Sequence, residues 1–148
     1  MIRIVLVLFI LSMMLSCQKD DNLLPLSTTP SIRLLKISSD TIKEFQDPLE
    51  LLIEYEDGDG DLGNIDTDIN SLFIKDNRLD KADEYYVAPL APIGSQISIR
   101  GTLNITLNGA FVLGNSASEK TYFELWMIDR AGRKSNVIRT QEITINKQ

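Results

Sequence analysis

Along much of the chain after Ser31, apolar residues fall at every second position, the spacing of strands that turn one face to a core and the other to water. Leu49, Leu51, Ile53 and Tyr55 alternate with Glu50, Glu54 and Glu56 in the clearest case. Ile32, Leu34, Leu35 and Ile37 predict an earlier strand that ends at Ser38-Ser39-Asp40. Leu72-Phe73-Ile74 predict a third, and residues 85–90 a fourth. Ile97, Ile99, Leu103, Ile105 and Leu107 run through a long fifth segment, one strand or two meeting at Gly101, before Asn108-Gly109 turns the chain. Residues 122–128 are apolar on both faces except at Glu124, which predicts a central strand with Tyr122 and Trp126 in the core, a sugar-stacking platform being the alternative for these two aromatics. Residues 137–145 close the series, with alternation at Ile143 and Ile145. Helical spacing is nearly absent, with room for one turn over 77–84. Six to eight closely spaced strands joined by Gly, Asn and Asp predict an all-β fold, a β-sandwich of about seven strands with immunoglobulin-like topology over 31–148.

The opening of the chain has a different pattern. Arg3 precedes a stretch over 4–15 that is apolar apart from Ser12, and small Ser16 then leads to Cys17. This reads as a cleaved export signal over 1–16. A membrane span would need about 20 apolar residues. Residues 17–30 are mostly polar, with Pro25 and Pro30 around Ser27-Thr28-Thr29, and read as a tether in which Leu23, Leu24 and Leu26 are apolar enough to dock.

Met14-Leu15-Ser16-Cys17 resembles the lipobox of bacterial lipoproteins, which implies cleavage before Cys17 and its acylation as a membrane anchor. Met14 departs from the Leu or Val usual at that place. Gln18, Lys19, Asp20 and Asp21 resemble the export signal of surface lipoproteins in the Bacteroidota, which implies an outer-membrane lipoprotein displayed at the cell surface; a periplasm-facing lipoprotein with a charged tether is the alternative. Asp129-Arg130-Ala131-Gly132-Arg133-Lys134-Ser135 resembles the Asp-x-Ala-Gly-x-x-Ser turn between the last strands of bacterial immunoglobulin-like and fibronectin-type modules. Asp40-Thr41-Ile42 resembles the O-glycosylation triplet of exported Bacteroidota proteins, which would make Thr41 the acceptor in a loop.

Composition narrows the function classes. Without residues 1–16 the chain is one domain's length, large enough for a core without staples. Cys17 is the one cysteine, so no intramolecular disulfide is available. The net charge of −6 becomes −7 once Arg3 is removed, and without a basic patch no nucleic-acid partner is expected. There is no histidine, which excludes imidazole triads and the usual zinc sites.

One segment carries candidate chemistry. Asp57-Gly58-Asp59-Gly60-Asp61-Leu62-Gly63-Asn64-Ile65-Asp66-Thr67-Asp68, with Glu54 and Glu56, places seven acids in fifteen positions without a Lys or Arg. Two carboxylates about 5 Å apart repel by roughly 1 kcal/mol in water and about 3 kcal/mol at an effective dielectric near 20, so gathering several in a folded loop calls for a cation. Ca²⁺ takes six to eight oxygens at about 2.3–2.6 Å, and the glycines let the chain curl until its carboxylates converge. Asp57, Asp59 and Asp61 are the leading candidate ligands, followed by Asp66 and Asp68. The loop resembles Asp-x-Asp-x-Asp calcium loops but not an EF-hand, having Leu62 where the hand needs Gly, Asp68 where it needs Glu, and no flanking helices. The competing reading is a solvated acidic turn that protects a sheet edge. Gly58-x-Gly60-x-x-Gly63 has dinucleotide-binding spacing, but Asp59 and Asp61 would repel a pyrophosphate and no helix follows. Arg130, Arg133 and Lys134 read as solvated turn charges.

The combined expectation is a lipid-anchored, non-catalytic binding or assembly module of the cell envelope, with Ca²⁺ as a structural cofactor, docking to another envelope protein. A glycan-binding accessory lipoprotein of a polysaccharide-uptake system is the alternative, and a small carboxylate-based hydrolase a third. A glycan site would show exposed aromatics in a groove. A protein-docking site would show a flat apolar patch or an open sheet edge.

Overall fold

A computed structural model describes residues 26–148. The signal segment, Cys17 and the Gln18-Lys19-Asp20-Asp21 run lie outside the described residues.

The described elements are all strands: β1 (Ser31–Ile37), β2 (Thr41–Lys43), β3 (Leu49–Asp57), β4 (Leu72–Asp76), β5 (Asp83–Tyr85), β6 (Ile99–Leu107), β7 (Ser118–Thr121), β8 (Phe123–Met127), β9 (Ile138–Arg139) and β10 (Ile143–Asn146). One sheet has the order β1-β3-β6, a second β5-β4-β8-β9 and a third β2-β10-β7. Only Tyr122 separates β7 from β8, and three residues separate β9 from β10, so two chain segments each contribute a strand to both the second and the third sheet. Their buried residues share one core with the first sheet: Ile32, Leu49, Leu51 and Ile53 on one side, Leu72, Ile74, Phe123, Leu125, Met127, Ile143 and Ile145 on the other. The expected all-β sandwich is what the chain forms, and its strand order is compatible with an immunoglobulin-like arrangement.

β3 shows how the sequence pattern becomes architecture. Leu49, Leu51, Ile53 and Tyr55 all point inward, and each fully buried aliphatic side chain contributes about 1.5–3 kcal/mol by leaving water. Glu54 and Glu56 face outward and pair with Arg33 on β1 and Arg100 on β6. β6 is a single strand rather than two meeting at Gly101, and it pairs with β3 without a break from Ile99↔Asp57 to Leu107↔Leu49. Gly101 lies directly opposite Tyr55, and a Cβ there would stand 2.5 Å from the Tyr55 hydroxyl oxygen. The missing side chain makes room for the ring.

Several expectations are corrected. The segment 85–90 contributes only the end of three-residue β5, which forms a hairpin with β4, and the bend at 77–80 is not helical. β8 is an inner strand of its sheet, but Tyr122 and Trp126 are not core residues; both lie half-buried on the outer face. There Trp126 stacks on its cross-strand partner Phe73 at 5.6 Å with Lys134 Nζ 4.2 Å above its ring, and the Arg139 guanidinium lies 3.2 Å from the Tyr122 ring centre. Cations cover the apolar faces that strand alternation turned outward. Thr41 is exposed but begins β2, which pairs in parallel with β10, rather than sitting in a loop. The last part of the tether docks on the domain: the Gly58 amide donates to the Ser27 carbonyl at 2.8 Å, and Pro30 is buried.

Candidate metal centre

β3 ends at Asp57, whose side chain continues the inward alternation of Ile53 and Tyr55 and is therefore fully buried. A carboxylate there needs donors, and the chain supplies them by curling. The amides of Asp61 and Leu62 donate to Asp57 Oδ2 at 2.8 and 3.3 Å. That turn brings Asp59 and Asp61 back over Asp57, so that one carboxylate oxygen from each lies within 4.8 Å of the others. Gly63, in the left-handed region at φ 79°, then passes so close to Ala88 that a Cβ would stand 2.2 Å from its carbonyl oxygen.

The second wall of the site comes from the segment after β8. Arg133 Nη2 donates to Asp59 Oδ2 at 2.6 Å and to Asp61 Oδ2 at 2.9 Å, while Nε donates to Asp129 Oδ2 at 2.8 Å. The Asp129 side chain is fully buried, and its Oδ1 accepts the Arg133 amide at 2.8 Å. Arg130 spends its guanidinium on backbone, donating to the carbonyls of Gly63 at 2.8 Å and Gly60 at 3.1 Å. The reading of Arg130 and Arg133 as solvated charges is therefore corrected, whereas Lys134 is exposed as expected. Two arginines clamp the acidic loop and Lys134 caps Trp126.

The clamp leaves a remainder. Oδ2 of each acid accepts a protein N–H, but Oδ1 of Asp57, Asp59 and Asp61 is buried and without a hydrogen-bond partner. Burial pushes the Asp57 carboxyl above the usual carboxylate range, and the neighbouring Asp59 charge adds to that against the two amide hydrogen bonds. Burial also raises Asp61, helped by repulsion from Asp129 and Asp59 and opposed by Arg133. Asp59 goes the other way: burial pushes it up, but the hydrogen bond and charge of Arg133 outweigh that. Arg133 itself is held above its ordinary value, first by the Asp59 hydrogen bond. One guanidinium is shared among Asp59, Asp61 and Asp129, and it makes no contact with Asp57, whose donors are the two backbone amides.

Of the five expected ligands, Asp57, Asp59 and Asp61 converge, whereas Asp66 and Asp68 are exposed and outside the cluster. The Asp66 Oδ1 caps the Asp68 amide at 3.0 Å in a local turn. Three carboxylate oxygens within 4.8 Å of one another are close enough to share one metal ion. The arginines escaped the sequence reading because they lie some seventy positions from the acids. The available signal was the unbalanced acidic run itself, together with a basic turn directly after the most apolar strand.

No family model matches the chain, and neither a curated protein nor a solved structure matches it.

Proposed function

We propose that this protein is a lipid-anchored, non-catalytic module of the cell envelope, an immunoglobulin-like sandwich that docks a strand of another envelope protein onto the free edge of β6. The observation that carries this reading is that edge. β6 pairs with β3 over nine residues without a bulge, and among the described residues no strand pairs with its other side. It contains neither Pro nor Lys, the usual protection of an edge, whereas edge strand β1 is interrupted by a register shift between Leu34 and Lys36. A long regular edge with free backbone donors and acceptors is the form used for strand addition, in which main-chain hydrogen bonds give affinity.

The anchor reading rests on the Cys17 segment, and the site is consistent with it. The chain enters the sandwich beside the acidic loop, through Ser27 and Gly58, so that end would face the membrane and β6 would run away from it. The non-catalytic reading is supported by composition, since the chain has no histidine for imidazole-based chemistry. One observation favours glycan binding as a second reading. Phe45, at φ 56° and 65% exposed, stacks on Phe111 at 5.6 Å at the far end of the sandwich.

A photo-crosslinking residue at Asn104, on β6, compared with one at Glu84, on the opposite sheet, tests the reading in whole cells. The expected result is a discrete adduct with one envelope protein from Asn104 alone, lost in a Thr102→Lys/Thr106→Lys variant with an unchanged melting temperature. Equal adducts from both positions, or glycan binding abolished by Phe45→Ala, would replace the docking reading. Cys17→Ala is expected to move the protein from the membrane to the aqueous fraction. The intact mass of the exported chain against Thr41→Ala reports whether Thr41 carries glycan.

A further inference from the structure

The geometry points to a single Ca²⁺ site at the Asp57-Asp59-Asp61 cluster, in which the three Oδ1 atoms bind the ion while their Oδ2 partners are held by the protein. The division of labour within each carboxylate is the main argument. Backbone amides fix Asp57 through Oδ2, and Arg133 fixes Asp59 and Asp61 through Oδ2, so all three side chains are oriented by protein donors. Their other oxygens are buried and unpartnered, and the three side chains bring oxygens within 4.8 Å of one another. Asp57 has no exposed surface at all, so solvent cannot serve its free oxygen. A buried acceptor without a donor costs about 1–3 kcal/mol, more when charged, and three in one cluster are explained by a shared cation.

Charge leads to the same place. Four carboxylates, from Asp57, Asp59, Asp61 and Asp129, meet one guanidinium that pairs with them, that of Arg133, while Arg130 spends its donors on backbone carbonyls. The excess of negative charge favours a divalent cation. Arg133 is then a positioning residue. It holds the outer oxygens from behind and leaves the inner ones to the ion, much as an outer shell orients metal ligands. Asp59 and Asp61 keep 27% and 18% of their side-chain surface exposed, which gives the ion a route in and water a place to complete the six to eight oxygens that Ca²⁺ takes. With three protein ligands, affinity should fall in the weak range of extracellular modules, a dissociation constant of about 0.1–1 mM.

This inference does not depend on the docking reading. Its test is a thermal melt and a calorimetric titration of the full chain in mild detergent, stripped with chelator, then given CaCl₂, MgCl₂ or NaCl at matched ionic strength. Saturating Ca²⁺ is expected to raise the melting temperature by on the order of 10 °C at about a hundredfold excess over the dissociation constant, with one ion bound and a smaller Mg²⁺ response. Asp57→Asn keeps the shape and places an amide N–H where the orphan oxygen was; it should raise the metal-free melting temperature and abolish the Ca²⁺ shift. Asp66→Asn/Asp68→Asn should leave the shift intact. A shift reproduced by NaCl, one that survives in Asp57→Asn, one that disappears in Asp66→Asn/Asp68→Asn, or no shift at about 100 mM Ca²⁺ would each overturn the proposal.

Discussion

Arg133 Nη2 lies 2.6 Å from Asp59 Oδ2 although 74 positions separate them in the chain, and the same guanidinium reaches Asp61 and the fully buried Asp129. This one side chain joins the loop after β3 to the loop after β8. Removing it would leave four acids facing one another with the Arg130 guanidinium already committed. Arg133→Gln is therefore expected to destabilise the domain by about 2–3 kcal/mol in chelator, visible as a lowered midpoint in urea. The variant should also regain more of its loss on adding Ca²⁺ than on adding salt. An unchanged midpoint would show that the clamp does not hold in solution.

Gly63 tests the same seam through the backbone. With φ at 79° and the Ala88 carbonyl oxygen 2.2 Å from where a Cβ would stand, Gly63→Ala must push apart the two strands of loop that form the site. The expected cost is at least about 2 kcal/mol, a melting shift on the order of 8 °C for a domain of this size. A neutral substitution would mean that the loop over 57–64 does not lie against 87–88.

At the opposite end, Arg78 binds both oxygens of Asp76 and also Glu119 at 2.7 Å, with side chains only about a tenth to a fifth exposed. Arg78→Met is expected to cost about 3 kcal/mol near neutral pH, because it leaves Asp76 buried and unpaired. Burial pushes the Asp76 carboxyl up, but hydrogen bonds from Arg78 and Thr121 outweigh this and hold it below its ordinary value. A carboxylate lowered on folding contributes stability that is complete above its unfolded pKa and is lost as pH falls through the folded one. The gap between wild type and Arg78→Met should thus narrow as the pH falls from about 5 to about 2. A constant gap in urea titrations across that range would remove Asp76 as the source.

Trp126 and Leu125 are neighbours on β8 with opposite surroundings. Leu125 is fully buried, so Leu125→Ala should cost about 2–5 kcal/mol. Trp126, on the outer face between Phe73 and Lys134, should cost about 1–2 kcal/mol on change to Ala, mostly through lost stacking and cation contact. If Trp126→Ala proves the more damaging of the two, the assignment of faces on β8 is wrong.

What the sequence by itself determined was whatever depends on neighbours along the chain. Period-2 alternation placed Leu49, Leu51, Ile53 and Tyr55 on the core face, because successive side chains of a strand must point to opposite sides. The same rule carried Asp57 inward at the end of β3. The Asp-Gly repeat announced a curled acidic loop, and Asp57, Asp59 and Asp61 were legible as its converging members. The tertiary structure decided everything that joins distant segments. It chose Arg133 and Arg130 as counter-charges, since a turn at 129–136 meets a loop at 57–64 only after two sheets have packed. It turned Trp126 and Tyr122 outward, because alternation along β8 names two faces and only packing against β3 says which is the core. It also left Asp66 and Asp68 in water, since a carboxylate's distance from an ion site depends on where the loop is pinned, and Arg130 pins it at Gly60 and Gly63.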